Sequence, residues 1–439
     1  MDPTSFSHSS SRPSRRDFLH RGAGAASAGL AASIAGFPAI LTAQDAVPRL
    51  RIGLVGCGGR GGGAALQALS ADDNTELTAV GDVFPEAMQS ALRSLRRGRP
   101  GQVNVDPDKQ FLGLDAYQKV IGSGVDVVLL ATPPGFRPQH FRACVEAGKH
   151  VFLEKPMAVD APGVRSVMDS VAESKRKNLS VVAGFCWRYS RSVRAAFDHI
   201  LGGSLGNVLT YYATYYTNPV KPMPPADTRP EGISDVEWQV GNWYNFTWTG
   251  GGGLVEQAVH SVDKIAWAMR DQPPIACVAS GGRQIPNHEG NIFDHINATY
   301  EYPEGVLAFL GCRQIANCYG ENADYIAGSN GQCVIGRGER PYITGAAPWR
   351  FRGEDNDMYQ QEHDELFASI RRGEPINDGD RMASSTLLAI MGRMAAYTGQ
   401  RITWDQALNS KEDLAPDDLS WDSPFPIAPI AKPGVTKFF

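Results

Sequence analysis

Apolar residues in the first part of the chain come in short blocks. Ile52, Leu54 and Val55 form one, Leu77 to Val80 a second, Val125 to Ala131 a third and Val151-Phe152-Leu153 a fourth. Runs this short, with little polar alternation, are what strands buried on both faces show. Helix-forming stretches separate them: the segment ending near Leu69, the stretch from His140 to Ala147, and Ala161 to Lys177. This alternation predicts a doubly wound parallel sheet of Rossmann type over residues 48–180. A further apolar strand, Val181 to Phe185, follows, and there the texture changes. Val208 to Tyr216 is rich in β-formers, and similar runs lie near Ala276–Ala279, Ile296–Tyr302, Val306–Leu310 and Gln332–Ile335. They predict an α+β domain with an open, largely antiparallel sheet over residues 181–404. Asn218 to Gly253 is a long insertion rich in Pro, Gly and Trp, of the kind that serves as a lid or binding loop. Helices are expected from Gln360 to Arg372 and from Ala383 to Thr398, and residues 405–439 read as a Pro-rich tail.

Composition narrows the partners. The chain has 439 residues, 42% hydrophobic and 20% charged, with a net charge of −5. That balance gives no reason to expect nucleic acid or an anionic membrane as partner. After the first 43 residues no segment is apolar for long enough to span a bilayer. Residues 1–43 resemble a twin-arginine export signal: Ser14-Arg15-Arg16-Asp17-Phe18-Leu19-His20, a small-residue apolar stretch from Ala23 to Leu41, then Leu41-Thr42-Ala43. The expectation is recognition by the twin-arginine machinery, a mature chain starting near Gln44 and a periplasmic or otherwise exported location. Seven cysteines without regular spacing do not read as a disulfide framework, although Cys312 and Cys318 could pair. No Cys-x-x-Cys or His/Cys cluster points to a metal.

The first strand runs into Gly56-Cys57-Gly58-Gly59-Arg60-Gly61, in which Gly56, Gly58 and Gly61 fit G-x-G-x-x-G. The first glycine allows a tight turn, the second close approach to a pyrophosphate, the third close packing of helix on strand. The helix N-terminus then offers free N–H groups to phosphates. Asp82 closes the second strand, where a carboxylate meets an adenosine ribose hydroxyl. A plain glycine-rich surface loop ranks below this reading because strand and helix flank the glycines. Asp82 repels a 2′-phosphate whereas Arg60 can approach one, so NAD is favoured and NADP stays open. Thr132, Pro133, Glu154, Lys155 and Pro156 follow later strands and fall at the mouth of the same crevice.

From Pro48 to Thr403 the chain resembles the glucose–fructose oxidoreductase / inositol dehydrogenase (Gfo/Idh/MocA) family. The marks are the glycine loop, Asp82, Ala131-Thr132-Pro133 followed by His140, the run Ala147 to Pro156 ending in Glu154-Lys155-Pro156, and the run Gly250 to Asp263. The resemblance implies an oxidoreductase acting on a sugar or cyclitol, with oligomerisation (dimer or tetramer) through the second sheet. It puts Lys155 between nicotinamide and substrate hydroxyl, where a desolvated lysine polarises or helps deprotonate an alcohol. It makes His260 the general base and acid. Glu256 stands where family members carry Asp, expected to orient His260 or hold a hydroxyl. An i, i+4 spacing places Glu256 and His260 on one helix face. Arg188 and Tyr189 fall where family members line the pocket. Trp243 and Tyr244, with Trp238 and Trp248, read as a stacking platform for a sugar ring or as interface aromatics of an oligomer.

An exported dehydrogenase that released NADH would stall, so the cofactor is expected to stay bound and be restored within each cycle. Transhydrogenation between two sugars does this. So does glycoside cleavage through a transient keto-sugar, the route of the NAD-dependent glycosidases. A non-catalytic carbohydrate-binding protein on the same fold is the competing class, and an intact Lys155 and His260 argue against it.

Overall fold

The computed structural model describes residues 48–439, apart from 337, 415, 417 and 418. The export-signal expectation for residues 1–43 lies outside the described residues. Strands and helices alternate as β1 (Leu50–Val55), α1 (Gly59–Ala71), β2 (Thr75–Asp82), α2 (Pro85–Gly98), β3 (Gln110–Leu112), α3 (Ala116–Gly122), β4 (Val127–Leu130), α4 (Arg137–Glu146), β5 (His150–Leu153), α5 (Ala161–Arg176) and β6 (Val181–Ala183). The six strands form one parallel sheet in the order β3-β2-β1-β4-β5-β6. Ile52, Leu54, Val127, Val128, Val151 and Phe152 have no exposed surface, as strands covered on both faces require. The order in which strands are added reverses between β1 and β4, which opens a crevice beyond their carboxyl ends. The sheet reaches three residues past the expected boundary at 180, because Val181–Ala183 pairs with β5.

The second half opens with α6 (Arg191–Leu201) and β7 (Val208–Thr217). The insertion that follows carries two short helices, α7 (Asp235–Gly241) and α8 (Thr247–Gly250). A wide π-type turn, Leu254–Ala258, runs into α9 (Val259–Ala268). Then come β8 (Ala276–Gly282), β9 (His295–Glu301), β10 (Leu307–Gln314), β11 (Glu321–Gly328), β12 (Gly331–Gly336), β13 (Glu339–Gly345), β14 (Trp349–Arg350), α10 (Met358–Arg372), α11 (Gly379–Thr398), β15 (Ile402–Thr403) and α12 (Trp404–Asn409). The second sheet has the order β14-β13-β12-β11-β7-β10-β9-β8-β15, with β7–β10 parallel and the other pairs antiparallel. Alternation along β7 turns Tyr211, Ala213 and Tyr215 inward and leaves Tyr212 exposed on the other face. The cysteine pair considered from sequence does not form: all seven thiols are free, with Cys312 buried in β10 and Cys318 exposed.

Two late helices join the halves. α11 is almost wholly buried and packs against α5, α9, β8 and β9. α10 returns to the parallel sheet, where it packs on α1, β5 and β6. Leu366 and Phe367 of α10 share a buried cluster with Ile52, Leu54 and Phe152. Asp357 caps the N-terminus of α10 through Tyr359 N (2.9 Å), and Gly373 ends it in the left-handed region.

His363 of α10 is fully buried, its ring 4.2 Å (centroid to centroid) from Phe152, and neither ring nitrogen has a protein hydrogen-bond partner. Burial, and then the charge of Arg60, hold its pKa well below the ordinary imidazole value. The unfolded chain therefore takes up a proton near pH 6.5 that the fold refuses. Each pH unit below that costs about 1.4 kcal/mol of stability until the folded pKa is reached. His363→Leu removes this debt, so its melting temperature falls less between pH 7 and pH 5 than that of the unaltered protein. Parallel melting curves across that range would refute the assignment.

Candidate active site

At the end of β1 the chain turns through Gly56, with φ of +90° and space for no side chain: a Cβ there would lie 2.7 Å from the Ala131 backbone. Gly61 is held as tightly, since its Cβ would lie 1.8 Å from the Gly56 carbonyl oxygen. Gly58 and Gly59 face open space, with no atom within 4 Å of the corresponding position. No acidic side chain occupies the first turn of α1 and no side chain caps it, so its N–H groups point outward unclaimed. A cavity of about 220 Å³ lies here, lined by Gly56, Gly58, Asp82, Thr132, Pro133 and His140 among others. The Asp82 carboxylate accepts from Cys57 N (2.5 Å) and Phe84 N (2.9 Å), which fixes it at the end of β2. His140 stacks on Tyr117 at 4.0 Å and lies 3.2 Å from Thr132 Oγ1 through its Nδ1; burial and then Arg137 push it down to about 3. Its ring is neutral. Open glycines, an uncapped helix end and a fixed carboxylate beside a concave wall fit a dinucleotide.

Arg60 departs from the expected approach to a 2′-phosphate. Its guanidinium turns to the end of β5, where it pairs with Glu154 and, at 2.9 Å, with Glu362 of α10, while Gln67 accepts at 2.8 Å. Glu362 is fully buried; burial and then the Glu154 charge push its carboxyl well above the usual range. The reason is tertiary: α10 brings a carboxylate from some 300 positions away.

Next in the chain, Lys155 Nζ donates to the carboxylate of Glu256 at 2.8 Å and also to the Glu256 main-chain carbonyl. Both side chains are more than nine-tenths buried. A π-type turn releases a carbonyl from the helical ladder, and here Lys155 takes it. The other carboxylate oxygen accepts from Gln257 Nε2 (2.6 Å), and Gln257 in turn accepts from Tyr215 OH (2.7 Å). Glu256 therefore holds Lys155 and not His260, as the i, i+4 reading had allowed. His260 Nδ1 is buried without a hydrogen-bond partner among the described residues. Burial, and then the charges of Lys155, Lys264 and Arg60, keep its pKa well below the ordinary value, so at neutral pH it is an uncharged proton acceptor. Pro156 accepts from Arg137 through its carbonyl.

The structure places the other expected residues differently. Arg188 is buried and tied to Asp263 (2.9 Å) and Asp271 (2.9 Å), and Tyr189 donates to Asp378 (2.8 Å). Both are bound into the fold, and like Lys155, Glu256 and His260 they lie outside the wall of the nucleotide cavity. Tyr244 is buried and pairs with Gln314 Nε2 (2.6 Å). Trp238 and Trp248 are buried too, with their indole N–H groups on Glu289 and Gln239, so neither offers an open face for a sugar ring. Trp243 is half-buried and lines the nucleotide cavity, together with Lys221. Sequence reasoning missed Tyr215, Gln257 and Lys221. The alternation along β7 was a signal for Tyr215; for Lys221 there was none.

One close-packed glycine and one open one make a paired prediction. Gly61→Ala forces α1 off β1, with NADH binding weakened more than tenfold and a lower melting temperature. Gly59→Ala points into open space and keeps the melting temperature within a few degrees. Fluorescence titration and thermal melts distinguish them.

Residues 50–183 match the model of the GFO_IDH_MocA family, an oxidoreductase family with an NAD-binding Rossmann fold, and residues 193–334 match the GFO/IDH/MocA C-terminal domain. The inositol 2-dehydrogenase of Rhizobium meliloti is 23% identical over 346 residues, 75% of this chain and 92% of that protein. A glycosyl hydrolase family 109 protein of Streptomyces coelicolor is 28% identical over 186 residues, 39% of this chain and 38% of that protein. The crystal structure of aldose-aldose oxidoreductase from Caulobacter crescentus, complexed with glycerol, has a TM-score of 0.64 at 19% identity, covering 81% of this chain and 99% of that one. With both halves of its fold matched by models of one family, the chain belongs to the GFO/IDH/MocA oxidoreductases.

Proposed function

We propose that this protein transfers hydride between NAD and a hydroxyl or ketone of a sugar or cyclitol, and that it does so outside the cytoplasm with its cofactor retained. The observation that carries the reading is the buried Lys155–Glu256 pair at the end of β5, close enough to neutral His260 for the Lys155 charge to act on it, and next to the β4 end whose Thr132 and Pro133 line the nucleotide cavity. When bound, NAD supplies the hydride acceptor and donor. Glu256 takes two of the N–H groups of Lys155, through its carboxylate and its carbonyl. The third remains for a substrate oxygen. Gln257 and Tyr215 hold the Glu256 carboxylate in place, so the ammonium has one direction in which to donate. His260 takes the carbinol proton in oxidation and returns it in reduction. Burial around both groups excludes water and strengthens their pull on the substrate oxygen.

Asp82 supports NAD over NADP, and the engagement of Arg60 by Glu154 and Glu362 supports it further, since that guanidinium is spent. The twin-arginine-like segment supports export, and export supports a closed redox cycle such as exchange between two sugars. Assembly with further copies is part of the proposal: the second sheet exposes Leu209, Tyr212 and Val278. The likeness to a glycosyl hydrolase family 109 protein favours a second reading, redox-neutral glycoside cleavage through a transient keto-sugar.

The test is nucleotide release from processed protein purified without added cofactor. Denaturation is expected to yield NAD(H) in stoichiometric amount, identified by mass and absorbance; an empty protein would remove the retained-cofactor claim. Lys155→Ala is expected to lower turnover by about 10²–10⁴-fold while sugar and nucleotide still bind. Unchanged turnover in that variant would leave only a binding role. Product analysis on sugar pairs and on glycosides then separates the two enzymatic readings.

A further inference from the structure

The nucleotide cavity has walls that the dinucleotide fold does not supply. Lys221, Val240, Gly241 and Trp243, all from the insertion after β7, line it together with Gly58 and Asp82. Lys221 Nζ lies 5.4 Å from the centroid of the Trp243 ring. Behind this wall the insertion has an apolar cluster of its own, built on Val236, Trp238, Phe246 and Trp248. Val83 and Phe84, which follow Asp82, and Phe136, which follows Pro133, pack into that cluster. Phe136 meets Trp248 edge-on, ring centroids 5.7 Å apart. The C-terminal tail completes it with Leu414, Leu419, Trp421 and Phe425; Phe425 lies 4.9 Å from Trp248. Gln239 couples the two segments, accepting from Trp248 Nε1 (2.8 Å) and donating to the Phe425 carbonyl (2.7 Å). Asn291 donates to the Ala428 carbonyl at 3.1 Å.

We infer that the insertion and the tail form a clasp over the adenosine half of the cleft, and that Lys221 and Trp243 contact the nucleotide and slow its departure. This rests on reading the cleft as an NAD site. Asp82 marks the adenosine half, because the carboxylate closing the second strand of such a fold meets that ribose. Trp243 brings an aromatic face for a base, and Lys221 a cation for ribose or phosphate oxygens. A nucleotide seated there leaves only if Trp243 and Lys221 move, and their segment is anchored by a buried cluster that the tail closes.

The experiment uses the full processed chain loaded with NADH, chased with excess NAD, with nicotinamide fluorescence reporting dissociation. Trp243→Ala and Phe425→Ala are each expected to release NADH at least tenfold faster than the unaltered protein, and Lys221→Ala severalfold faster. Phe425 does not line the cavity, so acceleration there reports the clasp and not a lost contact. If Phe425→Ala melts early, Trp243→Ala and Lys221→Ala decide the matter, because Trp243 is only half-buried and Lys221 is exposed on the cavity wall, and neither belongs to the buried cluster. Equal release rates in these two variants and the unaltered protein overturn the clasp while leaving the cofactor assignment standing. Failure of the unaltered protein to bind NADH at all overturns both.

Discussion

The Nζ of Lys155 has to be desolvated and aimed, and the rest of the site follows from how this is done. Glu256 meets it with a carboxylate and a main-chain carbonyl at once, from the opposite half of the molecule. Removing one partner of such a buried pair leaves an uncompensated charge, a cost of about 3–5 kcal/mol. The pair therefore also fastens the end of β5 to the π-type turn before α9. Gln257 and Tyr215 extend the fastening to β7, so the second sheet positions a group that belongs chemically to the first. Burial, and then the positive charges of Lys155, Lys264 and Arg60, keep His260 neutral, which is the state a proton acceptor needs.

The glycine loop obeys a different constraint, close packing. Gly56 and Gly61 leave no room between α1 and the strand ends, and that contact is what lets uncapped N–H groups face the cleft. Arg60, in the same turn, is drawn away by Glu154 and Glu362. A cation held in that way steadies the β5 end and is no longer available to a phosphate. The insertion and the tail then add apolar packing of their own behind the far residues of the cleft, so that three distant stretches of chain share one apolar cluster.

How much of this was readable in advance depends on the range over which each feature is decided. The parallel sheet was legible because double-sided burial forces unbroken apolar blocks such as Val127–Leu130. The second sheet was legible from its β-formers; Gly56, Gly58, Gly61 and Asp82 were named from motif spacing, Lys155 from its place after a strand and from the family resemblance, and His260 from that resemblance. Arg188 and Tyr189 were chosen for their place beside a strand end, but their partners, Asp263, Asp271 and Asp378, lie 75 to 189 positions away. Trp238 and Trp248 read as surface aromatics because the insertion gives no sign of a private core. The tail residues that bury them are more than 160 positions distant.

The sequence by itself therefore determined what is local: strand and helix blocks, the glycine geometry, and the chemical types assembled at the strand ends. Only the tertiary structure decided which partner each charge takes. It turned Arg60 toward Glu362, set Glu256 on Lys155 in place of His260, and returned α10 to the parallel sheet. Ion pairs and apolar clusters are settled by proximity in space, and periodicity along the chain carries no record of which distant segment will arrive.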